Sequence, residues 1–195
     1  MLKNFKNIYN IVKSKLQTKK WRKEQKWYKN GKSNECEKFQ RKNLETFLGV
    51  KIEKTTYRIS TSTLELKKNP RPMINNDGFE WTEDFDGILT LNTHKMLFNF
   101  KIICDKGGSQ TRTLREVYHF IKSQLDYSLL NLDKSNNDKN SIYFINILEG
   151  DTCYNSMKYY NYLLSNQKYS KIKNKVFVGD FVKFIDYYNS LEFNK

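Results

Sequence analysis

Residues 141–148, Ser-Ile-Tyr-Phe-Ile-Asn-Ile-Leu, form a nearly continuous apolar run flanked by polar turns. A strand with one solvated face alternates apolar and polar residues, so this run reads as a strand covered on both faces. The elements around it must then supply cover on two sides. Leu114, Val117, Tyr118, Ile121 and Leu125 recur at helical spacing after Gly107-Gly108 and mark the buried stripe of a helix. A Tyr-rich helix is expected from about residue 153 to 165, a short buried strand at 175–178, and a last helix over 181–191 opened by Gly179-Asp180.

The first half of the chain adds a helix and a hairpin. Ser33 or Asn34 reads as an N-cap, with Glu37 at capping-box spacing from Asn34, and Gly49 ends that helix after Leu48. Residues 50–53 then read as a strand. Residues 55–78, rich in Thr, Ser, Asn and Pro, read as an ordered loop. Strands over 87–91 and 95–104, joined by Asn92-Thr-His94, form a hairpin, and residues 131–140 a polar loop. Strands near 50, 88, 98, 144 and 177 with helices between them give an α/β (mixed α+β) domain, a central mixed sheet of about five strands flanked by helices.

Charge divides the chain unevenly. The formal charge is +14, from 35 Lys and Arg against 21 Asp and Glu. Residues 1–32 hold eleven of those bases and one acid, Glu24, which supplies +10 of the +14. Residues 1–30 are therefore set apart as a basic helical arm and 31–195 as a single domain. Leu2, Phe5, Tyr9, Val12 and Leu16 give the arm an amphipathic face, while residues 19–29 interleave Lys and Arg with Trp21, Trp27 and Tyr28. Two readings stand for that second half: a grip on phosphates and bases, or a solvated helix whose aromatics cover the core.

The charge surplus favours polyanions, nucleic acid first. No stretch approaches the roughly 18 to 20 apolar residues of a membrane span, and no signal peptide is visible, so the expected setting is intracellular, nucleus or cytoplasm not distinguished. Cys36, Cys104 and Cys153 lack CxxC spacing, which suggests reduced thiols and argues against zinc.

Chemistry concentrates between residues 77 and 124. Glu80, Glu83, Asp84 and Asp86 precede the apolar strand Met96-Leu-Phe-Asn-Phe-Lys101. Hydrolysing a phosphodiester near neutral pH calls for a cation that polarises the phosphoryl oxygen and activates water, and Mg²⁺ takes one or two carboxylates while keeping several waters. Asn99 and Lys101 share one face of their strand, and a hairpin turning at residues 92–94 brings that face beside Asp86. Lys101 can then orient or deprotonate the attacking water and neutralise charge in the transition state.

Asp86, followed after a hairpin by Asn99-Phe-Lys101, resembles the motif of the PD-(D/E)XK nucleases, the superfamily of many type II restriction endonucleases. The order of elements is similar too: a leading helix with an acid, the Asp-bearing hairpin, the Lys strand, a long helix, then buried strand, helix and strand. Residues 107–120, Gly-Gly-Ser-Gln-Thr-Arg-Thr-Leu-Arg-Glu-Val-Tyr-His-Phe, look like a segment that follows the catalytic strand in some restriction-type proteins. The resemblance covers about residues 31–185 and implies a restriction-endonuclease-like core, a Mg²⁺- or Mn²⁺-dependent cut in DNA, and a possible homodimer.

On that reading Asp86, Asn99, Lys101 and Glu37 are the catalytic candidates, and Asp86, Asn99 and Glu80 the metal ligands. Gln110, Arg112, Arg115 and Lys122 would meet the DNA. The family carries Glu or Asp two residues before the lysine, where this chain has Asn99, a neutral and weaker ligand. Either the metal is held with help from acids such as Glu37 or Glu80, or catalysis has been lost. Blander roles stand beside these: Asp86-Gly87 as a turn, Lys101 snorkelling, Glu37 capping its own helix, Gln110 and Arg112 capping theirs. A catalytically silent DNA-binding relative and a basic RNA-binding or structural protein are the competing classes.

Overall fold

A computed structural model describes residues 13–68, 82–132 and 141–191. A 3₁₀ turn (Ser14–Leu16) and a short helix α1 (Lys19–Glu24) lead to α2 (Ser33–Leu48). Three short strands follow, β1 (Tyr57–Ser60), β2 (Leu66–Lys68) and β3 (Thr82–Asp84), and then the hairpin β4 (Gly87–Leu91) and β5 (His94–Ile102). The chain continues through α3 (Gly108–Leu130), β6 (Ile142–Glu149), α4 (Asp151–Leu164), β7 (Val176–Gly179) and α5 (Phe181–Ser190).

The principal sheet has the order β4-β5-β6-β7, with β4 antiparallel to β5 and the other neighbours parallel. The apolar run became β6, an interior strand buried at seven of its eight residues. On one face Leu97, Phe144 and Leu148 pack with Val117 and Ile121 of α3 and Tyr160 of α4. On the other, Phe98, Ile145 and Ile147 meet Leu44 of α2 and Phe181 and Phe184 of α5. Burying side chains of this size stabilises by about 1.5–3 kcal/mol each, so two covered faces account for the absence of alternation.

Helix ends follow local chemistry. Gly49 adopts the left-handed conformation (φ 69°) that closes α2. At the other end of α2 the capping acid is Glu35, not Glu37: it accepts from the Lys32 N–H at 3.3 Å and from the N–H groups of Lys29 and Asn30. The helix begins at Ser33, with Lys32 as its N-cap, two residues ahead of the start that a cap at Asn34 would give, and Glu37 is left for other work. Asp180 caps α5 through the Lys183 N–H at 2.9 Å.

Two sequence expectations are corrected. The sheet contains four strands among the described residues, because residues 50–53 contribute a single bridge, Glu53 to Ile88, at the free edge of β4. Ile52 is buried there, but its N–H turns back to the Glu45 carboxylate at 2.9 Å. The supposed loop after residue 55 holds two strands that form, with β3, a separate antiparallel sheet of order β2-β1-β3. Ile59, fully buried in its central strand, anchors it in a stretch whose Ser and Thr content hides the pattern. The arm's described portion is packed on the body: Asp151 N–H and the Cys104 thiol both donate to Gln17 O, and Trp27 stacks on Phe39 at 4.4 Å. Leu2, Phe5, Tyr9 and Val12, like the loop at 133–140, lie outside the described residues.

Candidate active site

Only Phe85 and Asp86 separate β3 from β4. Phe85 N–H donates to Tyr57 O in the small sheet at 3.0 Å, and Asp86 N–H donates to Phe98 O in the large one at 2.7 Å. The chain thus changes sheets at Asp86. Gly87 makes the close approach possible, since a Cβ there would sit 2.7 Å from Ile52 Cγ2 and 3.3 Å from Glu53 O. From α2, the Arg41 guanidinium donates to Asp86 O and, at 3.4 Å, to Ile52 O, tying helix, bridge and turn together.

Asp86 Oδ2 accepts the Phe100 N–H at 2.7 Å and lies 3.8 Å from Lys101 Nζ. Their side chains are 15 % and 33 % exposed, so this pair sits between interior and surface. Burial raises the Asp86 carboxyl above its ordinary range, against the pull of Lys101, the Phe100 N–H and Arg41. Glu37 is half-buried on α2, and burial followed by repulsion from Asp86 pushes its carboxyl up as well, with Lys101 opposing. The two acids therefore feel one another and the same ammonium.

Glu37 and Lys101 open on a cleft of about 420 Å³ whose wall also includes Arg22, Tyr28, Gln110 and Glu116. Asp86 meets that space through Lys101. Arg22 was submerged in the arm's basic run, and its interleaved Trp and Tyr neighbours were the only sign that it would be held. It lies 5.0 Å over the Tyr28 ring, and its buried Nε has no hydrogen-bond partner among the described residues. Cys36 and Cys104 reach the same cleft, yet burial pushes the Cys104 thiol up to about 12, which keeps it protonated.

Other candidates stand elsewhere. Asn99 is 1 % exposed and donates its amide to Asn146 Oδ1 at 3.0 Å. Asn146 in turn exchanges hydrogen bonds with Gln124 of α3 at 2.7 and 3.1 Å and donates to Phe177 O, completing a buried amide network between β5, β6 and α3. Of the residues assigned to DNA, Gln110 lines the cleft. Arg112 is paired with Glu116 at 2.7 Å and Lys122 with Asp126 at 2.5 Å, so two of the three α3 bases assigned to DNA already have acidic partners. Arg115 faces a different groove, between α3 and α4. Glu80 lies outside the described residues.

Among the described residues no group of three or more His, Cys, Asp or Glu side chains gathers as a ready cation cage, and no helix is long and apolar enough to cross a membrane. Compared with protein-family models, curated proteins and solved structures, the chain matches none.

Glu149 ends β6 buried, accepting from Gln40 Nε2 at 3.0 Å and Gln17 Nε2 at 3.5 Å. Burial raises its carboxyl to about 7, although the two glutamines and the Phe181 N–H favour the charged form.

Proposed function

We propose that this chain is a Mg²⁺- or Mn²⁺-dependent endonuclease acting on DNA, with Lys101, Asp86 and Glu37 as its catalytic group. The observation that carries the reading is the 3.8 Å approach of Lys101 Nζ to Asp86 Oδ2 beside Glu37 at the cleft. Two acids raised by burial, Glu37 further by repulsion from Asp86, suit a divalent cation, whose charge relieves both effects. Asp86 and Glu37 are the residues that would hold it, within the one or two carboxylates Mg²⁺ commonly takes. When bound, the cation would polarise a phosphoryl oxygen and make water a stronger nucleophile.

The chain's own groups supply the rest. Lys101 neutralises charge developing on the phosphoryl oxygens and orients the attacking water. Arg22 and Gln110 hold the phosphate on the cleft wall, and Asn99 has only its carbonyl oxygen to offer a metal, its amide nitrogen being engaged by Asn146. The likeness to PD-(D/E)XK nucleases adds the order of elements: an acid on α2, Asp86 and Lys101 on an antiparallel hairpin, and a helix leading to a parallel strand. A symmetric pair of such chains would cut both strands.

One observation favours a second reading, a silent DNA-binding relative. Where an acid is expected, Asn99, Asn146 and Gln124 form a closed amide network. Supercoiled plasmid separates the two. Nicked or linear product that needs Mg²⁺ or Mn²⁺ and vanishes with EDTA and in Lys101→Ala supports the nuclease. Retained DNA binding without cutting supports the silent relative, and absence of both leaves neither.

A further inference from the structure

On the other flank of the first turns of α3, Leu114, Arg115 and Tyr118 face Tyr159, Tyr160 and Tyr162 of α4 across a groove of about 370 Å³. Tyr160 is its floor, buried, with its hydroxyl donating to Leu114 O at 3.2 Å and the Tyr118 ring tilted against it at 6.5 Å. Tyr159 and Tyr162 are different. They are 58 % and 78 % exposed, stand three residues apart on α4, and belong to none of the packed clusters. The Lys158 ammonium lies 5.1 Å from the Tyr159 ring centre, and Arg115 stands at the groove with no ion pair among the described residues.

We propose that this groove binds unpaired nucleotides of single-stranded DNA, with Tyr159 and Tyr162 stacking on bases while Arg115 and Lys158 meet the phosphates. A flat aromatic surface with cations at its margin matches the repeat of a single strand, alternating planar bases with anionic phosphates. An apolar helix from a partner protein would be better served by aliphatic lining and would gain nothing from the two cations. The chain's formal charge of +14 points the same way.

Position links the groove to the cleft. Gln110, Thr113 and Glu116 face the cleft, while Thr111, Leu114 and Arg115 face the groove, so the two are separated by about one helix diameter, ~10 Å. A strand leaving the cleft reaches the tyrosines by crossing α3. This continuity rests on the nuclease reading and deepens it: the favoured substrate carries a single-stranded portion, such as a flap or an overhang.

The test needs no cutting. Fluorescence anisotropy in EDTA would compare labelled oligo(dT) and oligo(rU) of about 12 nucleotides, within the usual span of single-strand sites, with a duplex of the same length. Tyr159→Ala/Tyr162→Ala is expected to bind oligo(dT) at least tenfold more weakly, with duplex affinity within twofold of the parent. The slope of log affinity against log salt should not change, since the rings neutralise no phosphate. Tyr159→Phe/Tyr162→Phe should keep the parent affinity, and the thermal midpoint of all variants should hold because both rings are exposed. Unchanged oligo(dT) affinity, an equal loss on duplex, or a loss confined to oligo(rU) overturns the proposal. So does a self-associated chain, seen by sedimentation, that the Ala pair dissolves. A protein that loses oligo(dT) in the Ala pair yet never nicks plasmid keeps the groove and loses the nuclease. One that nicks plasmid while the pair changes nothing loses the groove alone.

Discussion

Lys101 Nζ stands 3.8 Å from Asp86 Oδ2, the same oxygen that accepts the Phe100 N–H. One carboxylate oxygen therefore both fixes the strand and faces the ammonium. The two residues should respond differently to truncation. Lys101→Ala removes a one-third exposed side chain whose ion-pair partner among the described residues is Asp86, and should abolish plasmid cutting with less than about 1 kcal/mol lost in urea unfolding. Asp86→Ala also strands the Phe100 N–H and should lower stability by about 1–3 kcal/mol. A Lys101→Ala protein that fails to fold would make Lys101 a structural residue.

Asn99→Asp is the sharper test of the neutral residue before the lysine. The substitution sets a buried carboxylate against Asn146 Oδ1, two acceptors with no proton between them unless the network rearranges. Stability should fall by at least about 2 kcal/mol in EDTA. Calorimetry with Mg²⁺ or Mn²⁺ then reads the role directly: a metal-dependent recovery of the thermal midpoint, larger than in the parent, marks position 99 as a ligand, and its absence marks a purely structural amide.

Glu149 predicts a pH effect. Its carboxyl is raised from the ordinary 4.5 to about 7, so the folded chain keeps a proton that the unfolded chain releases. The group's stabilising contribution is full below pH 4.5 and is lost as the pH rises to about 7, on the order of 3 kcal/mol across the window. Glu149→Gln keeps the shape and cannot ionise. Its stability relative to the parent should rise from pH 4.5 to 8 in denaturant titrations, and a constant difference would count against the buried, protonated carboxyl.

Lys20, Lys23 and Lys26 are exposed on the described part of the basic segment. Replacing all three by Gln should flatten the dependence of log duplex affinity on log salt by up to about 0.9 for each that touches a phosphate. Removing residues 1–29 outright is a poorer experiment, because it also takes away Gln17, which accepts from Asp151 N–H and the Cys104 thiol, and the Trp27 ring stacked on Phe39. An unchanged slope in the triple variant would make these lysines a solvated surface only.

Elements whose pattern is strong were legible in the sequence. The unbroken run of β6, the stripe Leu114, Val117, Ile121 and Leu125, and the Asn92 turn of the hairpin all fall where periodicity and turn chemistry place them. Strands β1 and β2 were not, since four and three residues are too few for a period and their order comes from contacts such as those of Ile59. At the site, Asp86 beside Lys101 follows from strand alternation and hairpin pairing. Glu37 and Glu35 could not be told apart as cap and cleft residue, because both lie within one turn of the same helix start. The burial of Asn99 escaped notice because its partner, Asn146, lies 47 positions away along the chain, held in turn by Gln124 of α3.

The change of sheets at Asp86 bears on how such a protein can vary. Tyr57 O and Phe98 O grip consecutive peptide units, Phe85 and Asp86, from two different ladders. Each ladder can drift in sequence at its far end, the β1–β2 turn or the Asn92 turn, without disturbing the carboxylate. A one-residue insertion between Thr82 and Gly87 has no such freedom: it would break one grip or the other and carry the carboxylate away from its lysine. Lineages descended from this chain should therefore show length changes around residues 61–64 and a fixed spacing from Thr82 to Gly87.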